Sequence, residues 1–357
     1  MSSIFGLLNI SDADLTMVNS VGQRVLYDAT TEYLSVINAE LNAGLSLFVE
    51  NTTEDYKERY KLPGGGRLQP RGTLANTAYR RTIGYWDVAY PINDYGAALG
   101  MDDVTLAYMT AAEYQRQVDG VVAGNTATVR FDLLKALFNA SSRTITDDRW
   151  GSLTVQPLAN GDSVVYPPAM GSETEATDNH YLESGYAASS IDNTNNPLVT
   201  LREELEEHFG TMTGGDNIVV FHNQAQTAKL EALADFDEVP DRYIRPGTGI
   251  SVPEGAPNTP GIVTGRSSGV WCVEWRWIPA NYLLAIHLDQ PKPLKMRVDT
   301  AASGIPRGLH LYFNDEARPI QTMQWRHRFG FGVGNRLNGV VMELGTGGSY
   351  TTPTSYA

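Results

Sequence analysis

The chain has 357 residues, 42% of them hydrophobic, which is enough to bury a sizeable core and leaves room for two or three folding regions. Its 41 Asp and Glu outnumber 27 Lys and Arg, for a net charge of −14, which argues against tight binding to nucleic-acid phosphates, since Lys and Arg supply that affinity. No run approaches the roughly eighteen apolar residues of a membrane span, Met1 to Leu8 lacks the basic and apolar segments of an export signal, and the single Cys272 excludes an internal disulfide framework.

Ser11 reads as an N-cap ahead of Asp12 and Asp14, and Leu15, Val18, Val25, Ala29, Tyr33, Ile37 and Leu41 follow at helical steps, with a gap at Gly22. Residues 1–45 are therefore expected to form an amphipathic arm that ends near Gly44. Residues 46–100 predict an extended hairpin, with arms Ser46 to Glu58 and Tyr79 to Pro91 around a polar tip rich in Gly, Pro, Lys and Arg. A two-stranded ribbon is marginal by itself in water, so a second copy of the same chain is expected to cover it.

Charge supports that expectation. From Glu50 to Arg81 there are four acids and seven bases, a local balance of +3. Between Trp150 and Leu201 there is no Lys or Arg, while Asp162, Glu173, Glu175, Asp178, Glu183 and Asp192 make six acids. Opposite patches on identical subunits favour head-to-tail contacts that close into rings or shells. The candidates for such contacts are Lys57, Arg59, Lys61, Arg67, Arg71, Arg80, Arg81 and Trp86 on the basic side, and Glu173, Glu175, Asp178 and Glu183 on the acidic side.

After the hairpin, Asp102 and Asp103 open a long helical stretch that carries Val104, Leu106, Met109, Val118 and Val122, then Val129, Leu133, Leu137 and Phe138; a bend or break is expected near Gly124. Ser152 to Gln156 and Asp162 to Tyr166 predict short strands around an Asn160-Gly161 turn, and 167–197 a long polar loop. From Pro197 an α/β region is predicted. It begins with a helix over Leu198 to Phe209, with Glu203, Glu204, Glu206 and Glu207 on its exposed side, then a buried strand to His222 and a helix to Ala234. Val270 to Ile278, Tyr282 to Leu288, Leu309 to Phe313, Ile320 to Phe329 and Val340 to Leu344 are all β-like. The order mixes helices with antiparallel strands, the pattern of an α+β fold.

Catalytic motifs fail individually. Gly265-Arg266-Ser267-Ser268-Gly269 matches a nucleophile elbow, but a strand is expected after it where the elbow needs a helix, so it reads as a loop; a hydrolase built on Ser267 is the enzyme alternative. Gly330-Phe331-Gly332-Val333-Gly334-Asn335 lacks the third glycine of a phosphate-binding fingerprint. His180, His208, His222, His287, His310 and His327 are scattered without the spacing that puts two imidazoles on one helix face. No catalytic residue, cofactor or metal site is predicted.

Taken together, these segments resemble the major capsid proteins of tailed bacteriophages, the Hong Kong 97 capsid fold. The resemblance lies in order: an arm, an extended loop ending in Trp86-Asp87-Val88-Ala89-Tyr90-Pro91-Ile92, a spine helix, then Ile218-Val219-Val220-Phe221-His222, Trp277-Ile278-Pro279 and Tyr282-Leu283-Leu284 in an axial domain, and a return through Arg328 to Val333 and Gly339 to Leu344. It implies an N-arm over 1–45, an extended hairpin loop over 46–100, a peripheral domain with spine helix and polar insertion over 101–197, an axial domain over 198–315, and returning strands with a tail over 316–357. It also implies hexamers and pentamers tiling an icosahedral shell around double-stranded DNA held without sequence-specific binding. The expected location is the virion capsid, assembled in the host cytoplasm, with no membrane. Portal and decoration proteins are expected partners, and scaffolding is expected to be separate or absent because the first helix follows Met1 almost at once. An encapsulin-like compartment shell is the alternative with the same fold. The covalent crosslink some relatives form is not expected here, although Lys57 or Lys61 with Asn335 or Asn338 supply the chemical groups.

Overall fold

A computed structural model describes residues 17–61, 85–172, 175–208, 217–238, 260–313, 320 and 322–357. The expected cap at Ser11 and the hairpin tip, with Arg67, Arg71, Arg80 and Arg81, lie outside the described residues, as does Glu173. The chain divides into two compact units. One comprises Met1–Leu41, Asp94–Val129 and Ala301–Arg328; the other comprises Asn42–Asn93, Arg130–Thr300 and Phe329–Ala357.

In the first unit, a short helix Val18–Val21 is separated from Gln23–Leu45 by Gly22, whose φ of 93° suits a residue without a Cβ. Helix Asp103–Tyr108 is capped by Asp102, which accepts from the Thr105 amide at 2.7 Å. The long helix is Ala111–Phe138. Its break from the preceding helix falls at Met109 and Thr110 rather than near Gly124, for a local reason. The Thr110 hydroxyl accepts from the Glu113 amide at 3.2 Å while the Glu113 carboxylate accepts from the Thr110 amide at 2.8 Å. This reciprocal capping box starts a helix, and glycines at 120 and 124 each cost only about 1 kcal/mol inside one that is already running.

Val18, Leu34, Met109, Tyr114, Val118, Val122, Leu309, Ile320, Met323 and Trp325 form the core of this unit. Within it, the Tyr114 hydroxyl lies 2.8 Å from Thr30 Oγ1. Strand His310–Phe313 pairs antiparallel with the first half of Thr322–Val333, which also pairs with Asn93–Gly100. Asn93–Gly100 therefore belongs to this sheet and not to the hairpin loop expected over 46–100.

The second unit is built on a seven-stranded sheet in the order Tyr181–Glu183, Val340–Glu343, Tyr282–His287, Ile218–His222, Val270–Glu274, Ile262–Ser267 and Asp237–Glu238. Val340–Glu343, expected among the returning peripheral strands, lies instead inside this sheet, antiparallel to Tyr282–His287 and parallel to Tyr181–Glu183. The central strand Ile218–His222 is buried at every position, as its unbroken apolar run predicts. Helix Pro197–Glu206 places Leu198, Leu201 and Leu205 in a core with Ile218, Val220, Cys272, Leu283 and Met342. Burial pushes the Cys272 thiol pKa up to about 12.

Three further expectations change. Ser46 to Glu58 is not one hairpin arm: Val49–Thr53 pairs parallel with Leu294–Arg297. The hairpin expected around Asn160-Gly161 forms earlier, from Arg143–Asp147 and Gly151–Val155, where Asp147 Oδ1 accepts from the Arg149 and Trp150 amides and closes the turn. Residues 167–197 also contribute the strand Tyr181–Glu183. The glycines of 330–334 serve close approach rather than phosphate: a Cβ at Gly330 would stand 2.4 Å from the Pro91 carbonyl oxygen, and one at Gly332 would stand 2.6 Å from the Tyr90 ring. Among the described residues, no helix is long and apolar enough to cross a membrane.

One buried histidine gives the first unit an acid sensitivity. His327 is 2% exposed, with Nδ1 2.7 Å from the Asn125 side-chain oxygen. Burial, aided by the nearby His310, lowers its pKa from 6.5 to about 4. Between those values the unfolded chain binds more protons than the folded one, so this contribution to stability is complete above pH 6.5 and is lost as the pH falls through 4. His327→Gln is expected to flatten the acid limb of the stability curve, removing a dependence of roughly 3 kcal/mol, measured by urea unfolding from pH 7 to about pH 4. An unchanged slope would refute the assignment.

Candidate functional site

The basic candidates sit on a short antiparallel ribbon, Lys57–Lys61 against Tyr85–Ala89, in the register Lys57↔Ala89, Arg59↔Asp87 and Lys61↔Tyr85. Alternation along the strands gives it two chemically distinct faces. On one face, Asp87 Oδ2 lies 2.8 Å from Lys57 Nζ, and Arg59 grips the same carboxylate in bidentate fashion at 2.6 and 2.9 Å. The Arg59 and Lys57 hydrogen bonds hold the Asp87 carboxyl well below the usual carboxylate range. The Arg59 guanidinium also lies over the Tyr85 ring at 4.4 Å.

The opposite face is aromatic. Tyr60 stacks on Trp86 with ring centroids 5.5 Å apart, and Trp86 meets Tyr166 at 5.6 Å. Glu58 Oε2 gathers three donors: Tyr60 at 2.7 Å, Tyr90 at 3.0 Å and Lys295 at 2.7 Å. Burial alone would raise the Glu58 pKa, but these hydrogen bonds outweigh it and hold the carboxyl ionised below its ordinary range. Beneath this contact, Arg297 donates to the Tyr90 carbonyl at 2.9 Å and to Asp147 Oδ2 at 2.7 Å.

The acidic candidates fall into three different environments. Glu175 is exposed. Glu183 accepts from the Gly347 and Gly348 amides and ties down the segment after Val340–Glu343. Asp178 is not part of an open acidic patch. Its side chain is 8% exposed, and Oδ2 lies 2.7 Å from His180 Nε2 and 3.1 Å from His208 Nε2. Burial opposes the charge on Asp178, but the two imidazoles overcome it and keep its pKa far below normal.

His180, 0% exposed, has its other ring nitrogen 2.9 Å from the Gly339 carbonyl. Asp178 is held from the other side by its own carbonyl, which accepts from the Gly161 amide at 2.8 Å. His208 Nε2 is also 3.1 Å from Glu207 Oε1; burial opposes the charge on His208, but hydrogen bonding and attraction from Asp178, with attraction from Glu207, together outweigh it and raise its pKa. Glu204, expected on the exposed side of its helix, turns instead into this cluster, where burial lifts its pKa to about 7. The scattered histidine numbering concealed the cluster: the fold brings His180 and His208 to one oxygen of Asp178.

Ser267 lacks the setting of a nucleophile. It ends strand Ile262–Ser267, and Ser268 and Gly269, with φ of 52° and 82°, turn the chain directly into Val270–Glu274. The residue is 1% exposed, and its hydroxyl donates to Asp235 Oδ1 at 2.8 Å.

No protein-family model matches the sequence, and no curated protein matches it. Among solved structures, a chain from Mycobacterium phage Patience matches with a TM-score of 0.65 and 20% identity, over 96% of this chain and 94% of that one. The capsid structure of cyanophage P-SCSP1u matches with a TM-score of 0.49 and 11% identity, over 83% of this chain and 86% of that one. The capsid of the native GTA particle matches with a TM-score of 0.48 and 13% identity, over 85% and 90%. The first likeness extends over nearly the whole chain and carries the fold.

Breaking the buried pair under the ribbon tests how firmly it is rooted. Arg297→Met leaves Asp147, whose side chain is 4% exposed, without its cation. A destabilisation of about 3–5 kcal/mol is expected in chemical denaturation, as for other buried ion pairs that lose one partner. A loss below about 1 kcal/mol would show that the pair does not hold the ribbon root.

Proposed function

From the premise that this chain has the α+β fold of the phage capsid structures, we propose that it is a major capsid protein, a structural rather than catalytic subunit. Copies assemble into hexamers and pentamers that tile an icosahedral shell around packaged double-stranded DNA, in the capsid of a virion. The observation that carries this reading is the likeness to the phage Patience chain over 96% of the sequence. An excess of acidic charge fits a protein that encloses DNA without gripping it and stays soluble at high concentration.

The ribbon supplies the intersubunit contact in this reading. Lys57 and Arg59 already pair with Asp87 at its root, so the charge offered to a neighbour is assigned to Lys61, Arg67, Arg71, Arg80 and Arg81, with Glu173 and Glu175 as acceptors. Each exposed pair contributes only about 0–1 kcal/mol, yet many such repeats in a closed shell add through multivalency. In the same reading the seven-stranded sheet belongs to the axial domain, the long helix is the peripheral spine, and scaffolding, portal and decoration proteins are further partners.

Negative-stain electron microscopy of the expressed protein is expected to show hollow shells, or rings of five or six subunits; a discrete monomer at every salt and protein concentration would sink the proposal. Packaged DNA inside the particles supports the virion, whereas protein cargo would favour a cellular compartment. A second test removes the ribbon tip. Lys61 and Tyr85 are directly paired, so deleting residues 62–84 and joining the strands by a two-residue turn preserves the root. The variant is expected to be folded and soluble but unable to close shells, judged by circular dichroism and sedimentation; shells of normal size would remove the ribbon's proposed role.

A further inference from the structure

The cluster around Asp178 uses none of the residues to which the shell reading assigns an intersubunit contact, and Tyr166 stands between it and the ribbon, 5.6 Å from Trp86 and 6.5 Å from His208 between ring centroids. We propose that His208 Nε2, Asp178 Oδ2 and Glu207 Oε1 form a binding site for a divalent transition-metal ion of the zinc class. His208 Nε2 stands 3.1 Å from each of the two oxygens, and the three ligand atoms lie within 4.8 Å of one another. Zinc held at about 2.1 Å in a tetrahedral arrangement places its ligands about 3.4 Å apart, so small side-chain adjustments bring the three onto one ion. A mixed imidazole and carboxylate set favours zinc over calcium or magnesium, which take oxygen ligands.

Two features make this more than a gathering of acids. The first is the support behind the ligands. His180, fully buried, lies against Asp178 Oδ2 at 2.7 Å and is fixed by the Gly339 carbonyl at 2.9 Å. Metal-binding side chains are characteristically oriented by such outer hydrogen bonds. The second is the local charge. Among the described residues, no Lys or Arg side chain forms an ion pair with Asp178 or Glu207, so their compensation comes only from imidazoles. The His208 and Asp178 side chains are nonetheless enclosed, 7% and 8% exposed, while Glu207 is 36% exposed and reaches solvent.

A bound ion would join the segment before Tyr181–Glu183 to the end of helix Pro197–Glu206, an edge-to-helix brace within the second unit. The expected result, with full-length protein stripped by chelator and titrated with Zn²⁺ alone, is saturable binding of one ion per chain. Co²⁺ in its place is expected to give a visible ligand-field absorption that Zn²⁺ abolishes. His208→Gln and Asp178→Asn are expected to weaken binding at least tenfold, while His310→Gln, in the other unit, leaves it unchanged. Should Asp178→Asn fail to fold, Glu207→Gln replaces it with the same expected loss. Absence of saturable binding in the unaltered protein, or undiminished affinity in the folded variants, would overturn the site. Shell formation is scored separately by microscopy, so failure of the metal site and failure of the capsid reading remain distinguishable.

Discussion

The ribbon Lys57–Lys61 and Tyr85–Ala89 buries too little of its own surface to hold its register, and its usefulness depends on how it is rooted. The root is a stack of desolvated polar contacts. Glu58 draws Tyr60, Tyr90 and Lys295 to one oxygen, and Arg297 ties the Tyr90 carbonyl to Asp147. None of this would fit unless strand residues 330 and 332 were glycines, because backbone and ring at Tyr90 and Pro91 occupy the space a Cβ would need. Such contacts are directional and cannot slide. They convert a marginal two-stranded element into a fixed one.

A similar economy governs charge. The basic residues nearest the root pair internally with Asp87, and the Nε and Nη2 groups of the buried Arg336 donate to the Pro157 and Leu158 carbonyls and to Asp162. Arg336 thereby fixes the segment leading to Asn160, which bridges to Asn179 beside the Asp178 cluster. Electrostatics at the two places therefore serve different ends: one stiffens a two-stranded ribbon, the other fixes an enclosed cluster of carboxylates and imidazoles.

Much of this architecture was legible in the sequence where local physics decides it. Ile218–Phe221 is unbroken apolar, and the strand through His222 is buried throughout; the helix expected from Leu198 begins at Pro197, one residue earlier, with Asn196 as its cap. Two of the misreadings share one cause, which is that pairing partners distant in sequence leave no local mark. Val49–Thr53 looks like a hairpin arm until Leu294–Arg297 claims it as a parallel neighbour. Val340–Glu343 looks like a returning strand until it inserts between Tyr181–Glu183 and Tyr282–His287. The break before Ala111 did have a local signal, Thr110 followed by Glu113, and the more conspicuous glycines masked it. The Asp178 cluster had no comparable signal, since only the fold brings Asp178 and His180 to Glu207 and His208.

The burial of Cys272 has a practical consequence. It is the only cysteine of the chain and is wholly enclosed in the sheet core, with its thiol held protonated at neutral pH. The folded subunit therefore presents no native thiolate to alkylating reagents. A cysteine introduced anywhere on its surface would be the sole reactive handle, so dyes, spin labels or tethered cargo can be attached at one chosen position per subunit without first altering the core.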